Sequence, residues 1–442
     1  MKRPAIRQAF FMLRPVMSLQ PILDELFAMT FHAGIKPGLE RITSMLAELG
    51  DPHHRLTSIH VAGTNGKGST CSLLASILTE AGYNVGLYTS PHIRRFNERI
   101  RINGVPITDA DVARLAVPLM EHAKAIGGTF FEVTTAAALQ YFAERRVDVA
   151  VIETGLGGRL DATNVITPLL SVITAIDLDH MEYLGTTIPQ IAGEKAGIIK
   201  AGVPVVIGPN GSDACDVFER RAEHVGSEIV FAEDSVAVEV DAYYADLTMS
   251  ISAISDDTRR YYVSELTGLH QSENICTVLG AIPILQRSLA IDDEDVRRGL
   301  RSVRRNSGIA GRTEIIANDP LTIIDVSHNP GGMHSLVRTL MASRIAGPLH
   351  VVFGAMSDKD VEGMLGELLA LHPTIHACAA DLPRSMPYPD VAAIAKSIGH
   401  EQVISHTSVA EAVQAARARG TTIICGSFHV ADEAAQTLGF LS

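Results

Sequence analysis

The chain has 442 residues, a formal net charge of −13 and 46% hydrophobic residues, enough apolar material for two or three soluble domains at about 150 residues each. The acidic balance and the lack of any lysine- or arginine-rich block argue against nucleic acid as the main partner, but leave room for a small anion in a local basic pocket. Five scattered cysteines without CxxC spacing indicate neither a disulfide framework nor a zinc ribbon and point to the cytoplasm, and no apolar run approaches the roughly twenty residues that cross a bilayer.

In chain order, Lys2, Arg3, Arg7 and Arg14 among apolar residues give the first 19 residues a superficial likeness to a targeting peptide, but Arg14 breaks an apolar run that is already short. Met17 is an alternative start. Apolar segments at 58–61, 84–88, 147–152, 169–176 and 204–207 predict buried strands, alternating with helices at 69–81, 109–126, 134–145 and 188–201. Such alternation implies a parallel sheet covered by helices on both faces, with ligands along the edge where strand C-termini gather. From 227 to 262 the pattern turns strand-like and predicts a small antiparallel addition. Residues 302–311 interrupt the periodicity with Arg304, Arg305, Gly308 and Gly311, as a linker does. The boundary is placed there, giving a first unit of residues 1–304 and a smaller α/β unit of residues 305–442 with strands at 321–326, 349–353, 374–379 and 421–425.

The chemistry collects at strand ends. Val61-Ala62-Gly63-Thr64-Asn65-Gly66-Lys67-Gly68-Ser69-Thr70 joins a strand to a helix through a glycine-rich turn, a cradle of backbone N–H groups and a lysine for a polyphosphate. ATP is the expected ligand, although Val61 replaces the first glycine of the strict pattern and Gly68 separates Lys67 from Ser69. Strand 147–152 runs into Glu153, a first candidate for holding Mg2+ beside the phosphates. The next strand runs into Asp177, Asp179 and His180; the histidine reads as a ligand, a phosphate contact or an exposed loop residue. Ser90, before Pro91 and His92, supplies either a hydroxyl ligand or an ordinary turn. Lys195 lies in an apolar helical stretch, where it must shift its pKa, pair with Glu194, snorkel or be modified. In the smaller unit Asp325 is placed to accept ribose hydroxyls and His328 to face phosphate, while Arg312, just past the linker, either reaches a transferring phosphoryl group or lies in water.

Together these segments resemble the folylpolyglutamate synthase/dihydrofolate synthase family of the Mur ligase group. The likeness runs from Gly34-Ile35-Lys36-Pro37-Gly38-Leu39 to Cys425-Gly426-Ser427-Phe428-His429, and is strongest at the phosphate loop, Thr89-Ser90-Pro91-His92, the segment from Glu153 to Asn164, Gly193-Glu194-Lys195-Ala196-Gly197-Ile198, His270-Gln271-Ser272-Glu273-Asn274 and Asp325-Val326-Ser327-His328-Asn329-Pro330. It implies a P-loop α/β domain followed by a smaller Rossmann-like α/β domain. By the same likeness Ser90, Glu153, His180 and a carbamylated Lys195 hold magnesium; Thr64, Asn65, Gly66 and Lys67 bind phosphates; and Asn274, Arg312 and Asp325 complete the nucleotide site. The pterin end of the substrate is implied near Thr129, Phe130, Phe131 and Glu132 and near Leu160, Asp161 and Ala162. Ala310-Gly311-Arg312 departs from the family's Pro-Gly-Arg, and Val326-Ser327 from its Gly-Ala, without removing a ligand.

The implied reaction phosphorylates a carboxylate with ATP and transfers the acyl group to L-glutamate, with dihydropteroate, reduced folates or both as acceptors. Lys67 neutralises phosphoryl charge, Arg312 arrives on closure, and a monomer suffices. A Mur-type ligase acting on another carboxylate and a P-loop regulatory ATPase are the competing readings.

Overall fold

The computed structural model describes residues 19–33, 37–345 and 347–440. The basic stretch before residue 19, with Met17, and residues 34–36 lie outside the described residues.

The first sheet holds β1 (Ser58–Ala62), β2 (Val85–Tyr88), β3 (Ile100–Ile102), β4 (Val105–Pro106), β5 (Val149–Glu153), β6 (Leu170–Ile173), β7 (Val205–Ile207) and β8 (Ile229–Phe231), in the order β4-β3-β2-β5-β1-β6-β7-β8. The pairs from β2 to β8 are parallel; β3 and β4 join antiparallel at one edge. Every residue of β1 and β5 is buried, because helices cover both faces. Val149 and Val151 enter the core beneath the helix Lys67–Glu80, whereas Ala150 and Ile152 enter the opposite core beneath the helices Asp109–Ile126 and Phe130–Arg145. A separate antiparallel sheet is formed by β9 (Ala237–Tyr243), β10 (Met249–Ser255) and β11 (Thr258–Ser264).

The third sheet holds β12 (Glu314–Asn318), β13 (Leu321–Ile324), β14 (Leu349–Phe353), β15 (Thr374–Ala377), β16 (Val403–Ser405) and β17 (Thr421–Cys425), in the order β12-β13-β17-β14-β15-β16. It is parallel except for β12. Across it runs a chain of imidazoles: His350 Nδ1 lies 3.2 Å from His376 Nε2, and His376 Nδ1 lies 2.9 Å from His406 Nε2.

Several expectations need correction. The helix expected from 134 starts at Phe130, because Thr129 caps it and Glu132 closes a capping box. The helix begun at Ile188 gives way after Lys195 to a 3-10 turn, Ala196–Ile198. Residues 229–231, read with the antiparallel addition, pair parallel with β7 in the large sheet. The stretch taken as a linker contains the helix Val303–Ser307, and the expected boundary at 304/305 falls inside it. Packing makes that helix: Val303 is fully buried, and Asn306 Nδ2 donates to Glu80 Oε1 at 2.7 Å and to Ser76 Oγ at 3.2 Å.

Candidate active site

The glycine loop leaves β1 with Gly63 at φ 152° and Gly66 at φ 85°. Neither tolerates a side chain: a Cβ at Gly63 would stand 1.8 Å from Thr174 Oγ1, and one at Gly66 2.0 Å from Asn274 Oδ1. The N–H groups of Thr64 and Asn65 donate to the Ala175 carbonyl at 2.9 and 3.2 Å, which stitches the loop to the end of β6. Lys67 Nζ folds back on the loop, 3.1 Å from the carbonyls of both Gly63 and Thr64. Gln271 ties the loop's helix to Asn274: its Nε2 donates to Ser69 Oγ at 3.2 Å and its Oε1 accepts from Asn274 Nδ2 at 3.0 Å. Thr64, Asn65, Gly66, Lys67, Gly68, Ser69 and Asn274 therefore form one cradle, and Gly68 faces Glu153, whose Oε2 would be 3.6 Å from an added Cβ.

Glu153 ends β5 at 3% exposure, with Oε2 accepting the Ser90 N–H at 3.0 Å. Burial pushes its pKa up, opposed by the charges of Lys67, Arg312 and Arg99 and by the Ser90 hydrogen bond. A buried carboxylate beside the phosphate loop supplies the kind of oxygen donor a hard cation takes. Lys195, also 3% exposed, donates from Nζ to the Gly63 carbonyl at 2.7 Å; burial first and the Lys67 charge second lower its pKa to about 7, against Asp179 and Asp161. The amine is thus neither snorkelled nor paired with Glu194, which binds Arg159 instead at 2.8 Å. His180 is not drawn in: it stands at φ 48° before the short helix Met181–Leu184, half exposed, with Nε2 3.6 Å from Asp179. Among the described residues no hydrogen bond or ion pair joins it to Ser90, Glu153 or Lys195, and no three His, Cys, Asp or Glu side chains are grouped as a metal site.

Arg312 lines a cleft of about 70 Å³ together with Ser90, Glu153, Ile309 and Phe428. Asp325 differs from expectation. Its Oδ2 accepts from Thr313 N at 2.7 Å and Thr313 Oγ1 at 3.0 Å, and its Oδ1 accepts from the backbone N–H and the hydroxyl of Ser327. Four donors, two of them rotatable hydroxyls, meet one carboxylate, so in this structure Asp325 braces the turn. His328 turns Nδ1 to the Val326 carbonyl at 3.0 Å and leans on Phe428, and burial lowers its pKa.

On the other side of Ser90 and Pro91 lies a cavity of about 470 Å³. Thr129, Phe130, Phe131, Glu132, Leu160, Asp161 and Ala162 all line it. Phe130 stacks on Phe27 at 5.3 Å and lies 5.2 Å below the Arg99 guanidinium; Phe131 lies so close to Gly155 that a Cβ there would meet its ring at 2.4 Å. Glu132 and Asp161 also brace this wall. Glu132 accepts from Thr129 and, at 2.9 Å, from Arg41 Nε; Asp161 holds Gly155 N at 2.9 Å, Leu156 N at 2.8 Å and Thr163 N at 3.0 Å.

A phosphate cradle, a buried carboxylate and an aromatic-walled cavity at one sheet edge describe an ATP-dependent enzyme, and comparison with known proteins decides which kind. The Mur ligase middle domain family matches residues 61–282, and the Mur ligase, glutamate ligase domain family matches residues 311–428. The dihydrofolate synthase/folylpolyglutamate synthase of Bacillus subtilis is 38% identical over 391 residues, which cover 86% of this chain and 87% of that protein. The chain belongs to the folylpolyglutamate synthase/dihydrofolate synthase family. It is an ATP-dependent glutamate ligase of the Mur ligase group. Among solved structures, Escherichia coli FolC in complex with DHPP and ADP superposes with a TM-score of 0.84 at 29% identity, over 97% of this chain and 99% of that one. Mycobacterium tuberculosis folylpolyglutamate synthase complexed with ADP and AMPPCP gives 0.83 at 30% identity, over 95% and 99%.

Within this member of the family, sequence reasoning passed over Gln271, Thr174, Arg99 and Thr313. Gln271 sits inside a segment that carries the family likeness, which is its signal; Thr174, at a strand end, carries none. Arg99 lies in a charged run, yet it is 8% exposed and donates from Nε to His92 Nδ1 at 2.7 Å.

Proposed function

We propose that this family member joins L-glutamate to dihydropteroate and to the γ-carboxylate of reduced folates, as a monomeric cytoplasmic bifunctional enzyme of two units. The observation that carries the reading is the cavity of about 470 Å³, walled by Phe130 and Phe131, which shares Ser90 and Pro91 with the cleft holding Glu153 and Arg312. A flat heterocycle stacks on such rings, and its carboxylate end points along the wall toward the phosphate loop. Thr64, Asn65, Gly66, Lys67, Gly68, Ser69 and Asn274 hold the ATP phosphates, with His328 on the side of the smaller unit. The substrate carboxylate takes the γ-phosphoryl group, the glutamate amine attacks the acyl carbon, and phosphate leaves as the amide forms. Lys67 and Arg312 stabilise the spreading phosphoryl charge, and a closed cleft keeps water from the acyl phosphate.

Magnesium would be held by Glu153 and Ser90, with His180 and Lys195 turning in as further ligands, and would supply charge neutralisation on the phosphates. Lys195 is suited to carbamylation: an amine with a pKa of about 7 is substantially unprotonated at neutral pH, and its nitrogen can add to carbon dioxide with loss of a proton. The carbamate replaces a cation by an oxygen donor.

The test is radiolabelled L-glutamate incorporation with MgATP, run in parallel on dihydropteroate and tetrahydrofolate. Product from both is expected. Product from one alone removes bifunctionality, and ATP hydrolysis without incorporation on either acceptor supports a regulatory ATPase or a Mur-type ligase with another substrate. Glu153→Gln is expected to abolish incorporation.

A further inference from the structure

Thr313, the residue after Arg312, is 2% exposed and stands at φ 45°, a left-handed conformation that a β-branched side chain avoids. Its N–H and its hydroxyl both donate to one oxygen, Asp325 Oδ2. Asp325 is itself fixed, since its N–H donates to the Ile424 carbonyl at 2.9 Å and its other oxygen holds Ser327 N at 2.8 Å. On the near side of Arg312 the Gly311 carbonyl accepts from Val326 N at 3.0 Å, and a Cβ at Gly311 would come within 2.8 Å of Ile93 Cδ1. The Arg312 carbonyl accepts from Arg304 Nη2 at 2.7 Å. The backbone of 311–313 is thus pinned from the end of β13 and from the helix Val303–Ser307, while the Arg312 side chain lines the cleft with Glu153. Strained backbone persists where its surroundings over-determine it, and such places cluster at functional sites.

We propose that Thr313, clamped by Asp325, is a positioning residue that sets the direction in which Arg312 enters the cleft. The proposal rests on the reading of Arg312 as a contact to the transferring phosphoryl group. The strained turn selects one orientation of its neighbour, and the carboxylate read from sequence as a ribose acceptor serves as the anchor.

The test compares Thr313→Val, which keeps the shape but not the hydroxyl, with Thr313→Ser, which keeps the hydroxyl, and Thr313→Gly, which accepts the positive φ without strain. Each is made in wild-type and Arg312→Ala backgrounds, reading kcat, KM for the pteroyl acceptor and affinity for a non-hydrolysable ATP analogue. Thr313→Val and Thr313→Gly are expected to lower kcat and analogue affinity about tenfold with acceptor KM unchanged, Thr313→Ser to restore both, and the Arg312→Ala background to show no further loss. Equal losses in both backgrounds, loss with Thr313→Ser as well, or full activity of Thr313→Gly would overturn the proposal. Absence of glutamate incorporation by the wild type would instead sink the ligase reading, and the analogue-binding cycle would still report on the clamp.

Discussion

Lys195 spends its amine on a main-chain carbonyl of the phosphate loop, in a place where water cannot reach it. The unfolded chain holds its proton up to the ordinary lysine value of 10.5, while the folded one releases it near 7. Between those values the unfolded state binds more protons, so this residue makes stability rise with pH there, and below pH 7 the cost of burying its charge is fully present. Lys195→Ala should flatten that rise in the melting midpoint and lower turnover about a hundredfold or more; wild-type turnover should increase with added bicarbonate, and unchanged rates in the variant would remove Lys195 from the chemistry. Gly66 gives a sharper case. Alanine there meets Asn274 Oδ1 at 2.0 Å and must hold φ 85°, so Gly66→Ala should weaken nucleotide affinity at least tenfold and cost about 1–2 kcal/mol of stability, read by titration with ADP and by thermal melting.

Among the elements, those whose limits follow from local chemistry were legible. Helix 109–126 and strands 349–353 and 421–425 have the bounds expected, the helix because Thr108 caps its start and Gly127 its end. Elements made by packing were not. The helix Val303–Ser307 depends on Asn306 reaching Glu80, 226 residues away in sequence, and β12 is an edge strand defined by pairing with β13. The same division runs through the site: the glycine loop and the strand-end Glu153 announce themselves by spacing, whereas the engagement of Asp325 by Thr313 and Ser327 needs the fold, as does the outward setting of His180. The three imidazoles crossing the third sheet give this scale its own prediction. Burial holds His376 near 4, below the ordinary 6.5, and lowers His350 and His406 as well. The charge of Arg419 opposes protonation of all three, His406 and His350 oppose it more strongly on His376, the Arg419 main chain favours it on His350, and Glu411 favours it on His406. A histidine with a lowered pKa contributes stability above its unfolded value that is lost as pH falls toward the folded one. The melting midpoint should therefore drop between pH 6.5 and 4, and His376→Gln should reduce the slope over that interval; an unaltered slope would show that other groups carry it.

For the molecule as a whole, the junction between the first and third sheets is braced. Arg304 donates to the Arg312 carbonyl, its N–H holds Glu265 Oε2 at 2.9 Å, and Nη1 lies 3.6 Å from Glu314. Arg304→Ala should loosen the junction, seen as a larger radius of gyration by small-angle scattering and a loss of about 1–3 kcal/mol of stability; an unchanged radius would make the brace incidental.

Among the described residues, the cavity beside Phe130 and the cleft beside Arg312 have only Ser90 and Pro91 in common in their linings. A two-residue parapet of this kind works as a ruler. On the proposed reading, a substrate lying against the rings is gauged by the span from the cavity floor to that crest, and only a carboxylate arriving at the crest meets the phosphate side. A molecule whose acid group falls short would fill the cavity and block it, so pteridines lacking the benzoate arm should occupy the enzyme as inhibitors without being consumed.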